Sequence, residues 1–161
     1  MDSGMKVETR MEHQWLRRLV GEWTVEGEAS MGPEQTAEKY SGTESVRSLE
    51  GIWTVCEGRD ENGVSSSLMT LGYDPARGRF VGTFVAGMMT HLWLYDGELD
   101  ADGKRLMLNA EGPSLTTEGQ TGKYRDTIEL VSDDHRVLTS SFLFDDGEWR
   151  QFMRADYRRT A

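Results

Sequence analysis

The chain has 161 residues, the length of one domain, and can bury a core without disulfide staples. Its formal net charge of −10 and pI near 4.8 argue against a nucleic-acid partner or an anionic membrane surface, since both need clustered Lys and Arg. A single cysteine, Cys56, excludes an internal disulfide framework and reads as a small buried hydrophobe.

The opening Met1-Asp2-Ser3-Gly4 has neither a basic region nor an apolar run, so no signal peptide is expected. No apolar stretch approaches the length of a membrane span, and cytoplasmic residence is the expectation. Residues 1–8 read as a flexible tail and 9–161 as a single domain. Thr9 to Val20 is the one strong helix candidate. Thr9 and Glu12 have capping-box spacing, Met11, Trp15, Leu16, Leu19 and Val20 share one face, and Gly21 can close the helix as a left-handed residue. A cover or plug for a sheet is the role this predicts.

Strand signals follow without a second helix. Glu22 to Met31 alternates, with Trp23, Val25, Gly27 and Ala29 on one face and Glu22, Thr24, Glu26 and Glu28 on the other, as in a sheet with one wet side. A turn at Gly32-Pro33 leads to a strand from about Ala37 to Leu49. Gly51 then turns the chain into Ile52–Gly58, and Asn62-Gly63 is a strong hairpin signal. Ser66–Tyr73 and Arg79–Ala86 flank Asp74-Pro75-Ala76-Arg77-Gly78, where Pro75 presets φ and Gly78 can supply a positive one. Met88–Tyr95 follows, with Asp96-Gly97 and Asp102-Gly103 as turn pairs, then Arg105–Ala110. Glu111 to Gly122, with Gly112-Pro113 and two further glycines, reads as a long loop of the kind that forms lids or binding loops or is disordered. Lys123–Val131, Arg136–Phe144 and Trp149–Tyr157 complete about ten strands. Even hairpin spacing points to an all-β, antiparallel up-and-down β-barrel, since closure removes both exposed edges.

Two sets of residues carry a resemblance. Gly21-Glu22-Trp23, at the junction of a short helix and the first strand, is similar to the Gly-x-Trp that starts the barrel in the lipocalin and fatty-acid-binding (calycin) superfamily. There the Trp closes one end, under a basic residue of the last strand. The longer set is His13-x-Trp15-Leu16-x-x-Leu19-x-Gly21-x-Trp23, Leu71-Gly72-Tyr73-Asp74, Thr90-His91-Leu92-Trp93 and Met153-x-Ala155-x-Tyr157-Arg158. It resembles the bacterial family known as domain of unknown function 1579, over roughly Glu12 to Arg159. The resemblance implies a lipocalin-like barrel and no established reaction. The nitrobindins, a nearby barrel family, carry haem on a histidine; their opening Gly-x-Trp is followed by closely spaced glycines. Here Val25 stands where one of those would be, and no haem-ligating histidine is matched by motif.

His13, His91 and His135 lie far apart, and there is no His-Glu-x-x-His or Cys-x-x-Cys, so neither a metal nor a cofactor is expected. His13 is placed away from the Trp15–Leu19 stripe or at its border, and His135 in a solvated acidic turn. Met89, His91, Trp93 and Tyr95 alternate with Met88, Thr90, Leu92 and Leu94, which half-buries His91 whichever way that strand faces. Glu44 lies among Tyr40, Gly42 and Val46, and Asp126 shares a face with Ile128 and Leu130. An acid that points into a barrel needs an arginine or a cavity that binds through the carboxyl. No Gly-x-Ser-x-Gly and no phosphate-cradling glycine spacing is present, so an enzyme is not the expectation.

The function expected is non-covalent binding of a small, mainly apolar molecule in the barrel interior. His91, Trp93, Met89, Glu44, Tyr40, Phe84 and Tyr124 are the binding residues, and Phe80, Met88, Phe142, Phe144 and Met153 are further interior candidates. The alternative is a filled barrel serving as a scaffold or homodimer. Lesser alternatives are haem binding and a hydrolase or isomerase that pairs His91 with a cavity acid.

Overall fold

The computed structural model describes residues 7–30 and 36–161. One helix, α1 (Met11–Arg17), precedes ten strands: β1 (Gly21–Ala29), β2 (Glu38–Leu49), β3 (Trp53–Asp60), β4 (Ser65–Asp74), β5 (Arg79–Ala86), β6 (Trp93–Leu99), β7 (Arg105–Pro113), β8 (Thr121–Ser132), β9 (His135–Leu143) and β10 (Trp149–Arg159). Each pairs antiparallel with its sequence neighbours, and β1 pairs with β10 to close the barrel, from Trp23 opposite Arg159 to Ala29 opposite Met153. Closure leaves no free edge, as the even hairpin spacing predicts. Among the described residues no helix is long and apolar enough to cross a membrane. The predicted turn at Gly32-Pro33 and most of the predicted tail fall outside the described residues.

Several local expectations change. The α-helix is shorter than Thr9–Val20, because from Arg18 onward the amides bond three residues back, to the carbonyls of Trp15, Leu16 and Arg17. The cap is shifted by one residue from Thr9/Glu12: the Arg10 amide donates to His13 Nδ1 at 2.9 Å. His13 is therefore buried, at 1% exposure, and its Nε2 donates to the Tyr73 carbonyl at 3.1 Å, which fixes the neutral tautomer with hydrogen on Nε2. Gly21 is not a left-handed cap; its φ of +142° lies in an extended region that glycine alone enters freely.

Strand β6 begins at Trp93, not at Met88, and residues 87–92 form the connection from β5. Met88 is consequently 85% exposed and does not line the interior. Asp96-Gly97 is not a turn. Gly97 is paired within β6, opposite Phe80 and Leu108, and a Cβ on it would overlap the Met107 carbonyl oxygen. That glycine answers a close strand approach. The expected long loop at 111–122 is shortened at both ends by strand: Glu111, Gly112 and Pro113 pair with Lys123, Gly122 and Thr121. The loop itself is 114–120, tied by Ser114, whose amide bonds the Gln120 carbonyl and whose hydroxyl accepts from the Thr116 and Thr117 amides. The Asp74–Arg79 hairpin forms as expected, with the Gly78 amide on the Asp74 carbonyl at 2.8 Å and φ of +64° at Gly78.

Candidate functional site

The two ends of the barrel are built differently. At the helix end the interior is filled. Trp15, Leu16, Leu19, Trp23, Leu71, Phe80, Leu106 and Ile128 are all buried, and α1 is fastened by a bond from Trp15 Nε1 to the Gly103 carbonyl at 2.6 Å. Trp23 is 1% exposed and donates from Nε1 to the Leu19 carbonyl at 2.9 Å. The Arg159 guanidinium stacks on its ring at 4.3 Å, the basic residue of the last strand that the Gly-x-Trp resemblance implies.

Midway along the barrel two acids point inward. Glu44 is met by Arg136, whose guanidinium also stands over the rings of Tyr157 at 3.9 Å and Trp23 at 4.7 Å. Burial disfavours the Arg136 charge, and the Glu44 carboxylate, with smaller help from Tyr157 and Cys56, more than offsets this. Arg136 Nε has no hydrogen-bond partner among the described residues. Burial together with Glu44 holds the Tyr157 hydroxyl well above its ordinary range, and burial pushes the Cys56 thiol up, leaving it inert.

Among the described residues Asp126 has no such cation. Its Oδ2 accepts from the Tyr95 hydroxyl at 2.5 Å and its Oδ1 from the Ser140 hydroxyl at 2.7 Å. Burial raises its pKa against the lowering effect of the two donors, and burial with the neighbouring carboxylate raises that of Tyr95. Tyr124 and Ile128, on the same face of β8, are covered, as are Tyr95 and Ser140. Asp126 keeps part of its surface.

At the opposite end the interior is walled by rings. His91, Trp93, Tyr124, Phe142 and Phe144 form an edge-to-face chain with centroid separations of 4.6, 4.7, 4.9 and 5.2 Å. Three aromatics here lean onto inward-facing glycines of adjacent strands. A Cβ on Gly27 would overlap the Tyr40 ring, one on Gly112 the Trp93 ring, and one on Gly122 the Phe142 ring. The glycines let these rings run along the wall instead of across the lumen. Phe84, Trp93 and Met153 are only partly covered.

Of the residues singled out from sequence, His91, Trp93, Met89 and Tyr124 gather at this mouth, with Phe84 opposite Trp93 in the β5–β6 register. Trp93 Nε1 points to Met89 Sδ at 3.0 Å. Tyr40 lies on the β1–β2 side, its hydroxyl 3.5 Å from Met153 Sδ. Glu44 sits deeper, on Arg136. His91 shares a hydrogen bond with the Glu111 carbonyl at 2.9 Å and, among the described residues, with no carboxylate, so the pairing needed for His/carboxylate catalysis is not formed there. Tyr95, Arg136 and Ser140 were not singled out. Their signal was alternation: Arg136, Leu138, Ser140 and Phe142 share one face of β9, as Asp126 and Ile128 do on β8. Two open depressions also mark the outside of the molecule. One, about 420 Å³, lies among Arg17, Val20 and Glu50, and the other, about 530 Å³, among Arg47, Glu57 and Leu68.

Solved structures share the fold. Rv2717c from M. tuberculosis is 13% identical, with a TM-score of 0.57 over 96% of this chain and 100% of that one. The S-type phycobiliprotein lyase CPES from Guillardia theta is 14% identical, with a TM-score of 0.56 over 96% of this chain and 94% of that one. No curated protein matches the sequence. The model of the family described as protein of unknown function DUF1579 matches residues 8–159, so the closed barrel with its Gly21–Trp23–Arg159 end is that of a member of this family.

Proposed function

We propose that this protein binds a small, mainly apolar molecule in the half of the barrel away from the helix. The observation that supports this is the set of aromatic rings leaning onto Gly27, Gly112 and Gly122, which places them along the barrel wall in that half. Phe84, Trp93, Tyr124 and Met153 supply apolar and polarisable contact, His91 and Met89 stand at the rim with Trp93, and Tyr40 faces them from β2. The deeper acids are the few polar groups that orient a guest.

A second reading, a barrel that functions without a guest, is favoured by one observation: the two depressions of about 420 and 530 Å³ lie outside the lumen. Nile red, a neutral dye whose emission shifts in apolar surroundings, separates the two. Interior binding predicts that the dye binds, that Gly112→Ala weakens it by forcing Trp93 into the lumen, and that Leu94→Ser, on the exposed outer face, leaves it unchanged. Absence of dye binding, or binding lost only in Leu94→Ser, would favour the guest-free barrel.

A further inference from the structure

The barrel interior holds two acids and treats them differently. Glu44 has a guanidinium against it. Asp126 has two hydroxyls, from Tyr95 and Ser140, and among the described residues no Lys, Arg or His within ion-pair distance. Hydroxyl donors orient a carboxylate but do not neutralise it, and a buried charge is costly until something of opposite sign joins it. A carboxylate has about four lone-pair directions, and two donors leave acceptor capacity free. Asp126 lies on the same face of β8 as the buried Tyr124 and Ile128, so its carboxylate faces the barrel interior, and the residue as a whole is only partly covered. The approach from the mouth passes Trp93, Tyr124 and Phe142, aromatic rings that tolerate a cation far better than an anion.

We propose that the Asp126 carboxylate anchors a cationic nitrogen, so that the preferred guest is an apolar molecule carrying one protonated amine. This rests on the interior-binding reading above and adds the chemical class of the guest. The amine enters head first, displaces water beside Asp126, and leaves its hydrocarbon against Phe84, Trp93 and Met153. Tyr95 and Ser140 act as positioning residues that hold the carboxylate toward the lumen. A guest with a carboxylate head meets a like charge in a poorly screened interior and is rejected.

The test uses three probes that share a chain and differ in the head group: n-octylamine, 1-octanol and octanoate. They are titrated by calorimetry in high salt, which screens the overall charge of −10. The amine is expected to bind about tenfold or more tightly than the alcohol, the advantage of a charge-assisted hydrogen bond over a neutral one. Octanoate is expected to bind most weakly. Asp126→Asn, which keeps the side-chain volume, should erase the preference, bringing the amine-to-alcohol affinity ratio from about tenfold down to about one. Equal binding of amine and alcohol by the wild-type protein, or an amine preference that survives in Asp126→Asn, overturns the anchor while leaving interior binding intact. If neither amine nor alcohol binds, both readings fall. Should Asp126→Asn fail to fold, carboxyl-carbon NMR of aspartate-labelled wild-type protein decides: octylamine must move the Asp126 signal and octanol must not.

Discussion

The Arg159 guanidinium occupies the space where a Cβ on Gly21 would stand, and from there it reaches three carbonyls and an indole ring. Its Nη1 donates to Val20 at 2.5 Å, Nη2 to Arg18 at 2.8 Å and Nε to Asp133 at 2.9 Å. One side chain thus ties the end of the helical segment, the β8–β9 turn and Trp23 together. Gly21→Ala introduces strain at a φ of +142° and evicts the guanidinium; it is expected to cost about 1–3 kcal/mol in urea denaturation. Arg159→Ala should cost a similar amount, about 1–3 kcal/mol, through the lost ring contact and carbonyl bonds. The two effects should be far from additive, because they remove one arrangement.

The Glu44–Arg136 pair predicts an asymmetry. Glu44→Ala leaves a nearly covered guanidinium without its counter-charge and is expected to cost about 3–5 kcal/mol. Glu44→Leu combined with Arg136→Met replaces both charges with apolar volume and should cost far less than the single change. A double variant as unstable as the single one would show that the ring contacts of Arg136, not its charge balance, hold this layer.

Asp126 makes the pH dependence of stability readable. Burial raises its pKa in the folded protein above that of the unfolded chain. The folded state then holds the proton more tightly, so stability is greatest below the ordinary carboxylate range, declines as pH rises through the raised value, and levels off above it. The groups facing Asp126 are the Tyr95 and Ser140 hydroxyls. Surface acids held low by hydrogen bonds and arginines, such as Asp96 beside Arg79, act in the opposite sense, gaining stability as pH rises. They are common to the wild-type protein and Asp126→Asn and cancel in the difference. Melting temperatures of the two proteins from acid to neutral pH should therefore diverge, with the wild type losing ground to the variant. A difference that moved the other way would mean that the hydroxyl donors outweigh burial.

His91 belongs to the rim. Among the described residues it bonds the Glu111 carbonyl and makes an edge contact with Trp93. His91→Phe keeps a ring against Trp93 and should change stability by no more than about 1 kcal/mol while weakening Nile red binding. A loss beyond about 2 kcal/mol with dye binding intact would make His91 structural.

The strands were legible because a half-wet sheet writes period two into the chain, and hairpin chemistry at Asp74–Gly78 and Asn62-Gly63 needs only local residues. Trp23 and its arginine were legible through Gly21-x-Trp23. The start of β6 was not: Met88 to Leu92 carries apolar residues that look like strand and are spent on a connection, with Met88 in solvent. Asp96-Gly97 misled because glycine serves two purposes, and only the fold shows that Gly97 answers the approach of Met107 across the ladder. The capping role of His13 was hidden because its second partner, Tyr73, lies 60 residues away. The site was half legible. Alternation put Glu44 and Asp126 on faces shared with apolar residues; which acid meets an arginine depends on strands brought together only by closure.

Every strand pair except one joins neighbours in sequence, so nearly all of the sheet can form by local zippering. The exception is the β1–β10 seam, where Trp23 must find Arg159 across almost the whole chain. Until it does, the sheet is an open ribbon with two unpaired edges, ready to accept a strand from another molecule. That seam joins the strands farthest apart in sequence, so its closure carries the largest loop-closure entropy of any strand pair. The Gly21–Arg159–Trp23 arrangement sits on the seam, so its strength governs how often the ribbon reopens. Variants that loosen it should aggregate on warming well before those that weaken an interior hairpin by the same free energy.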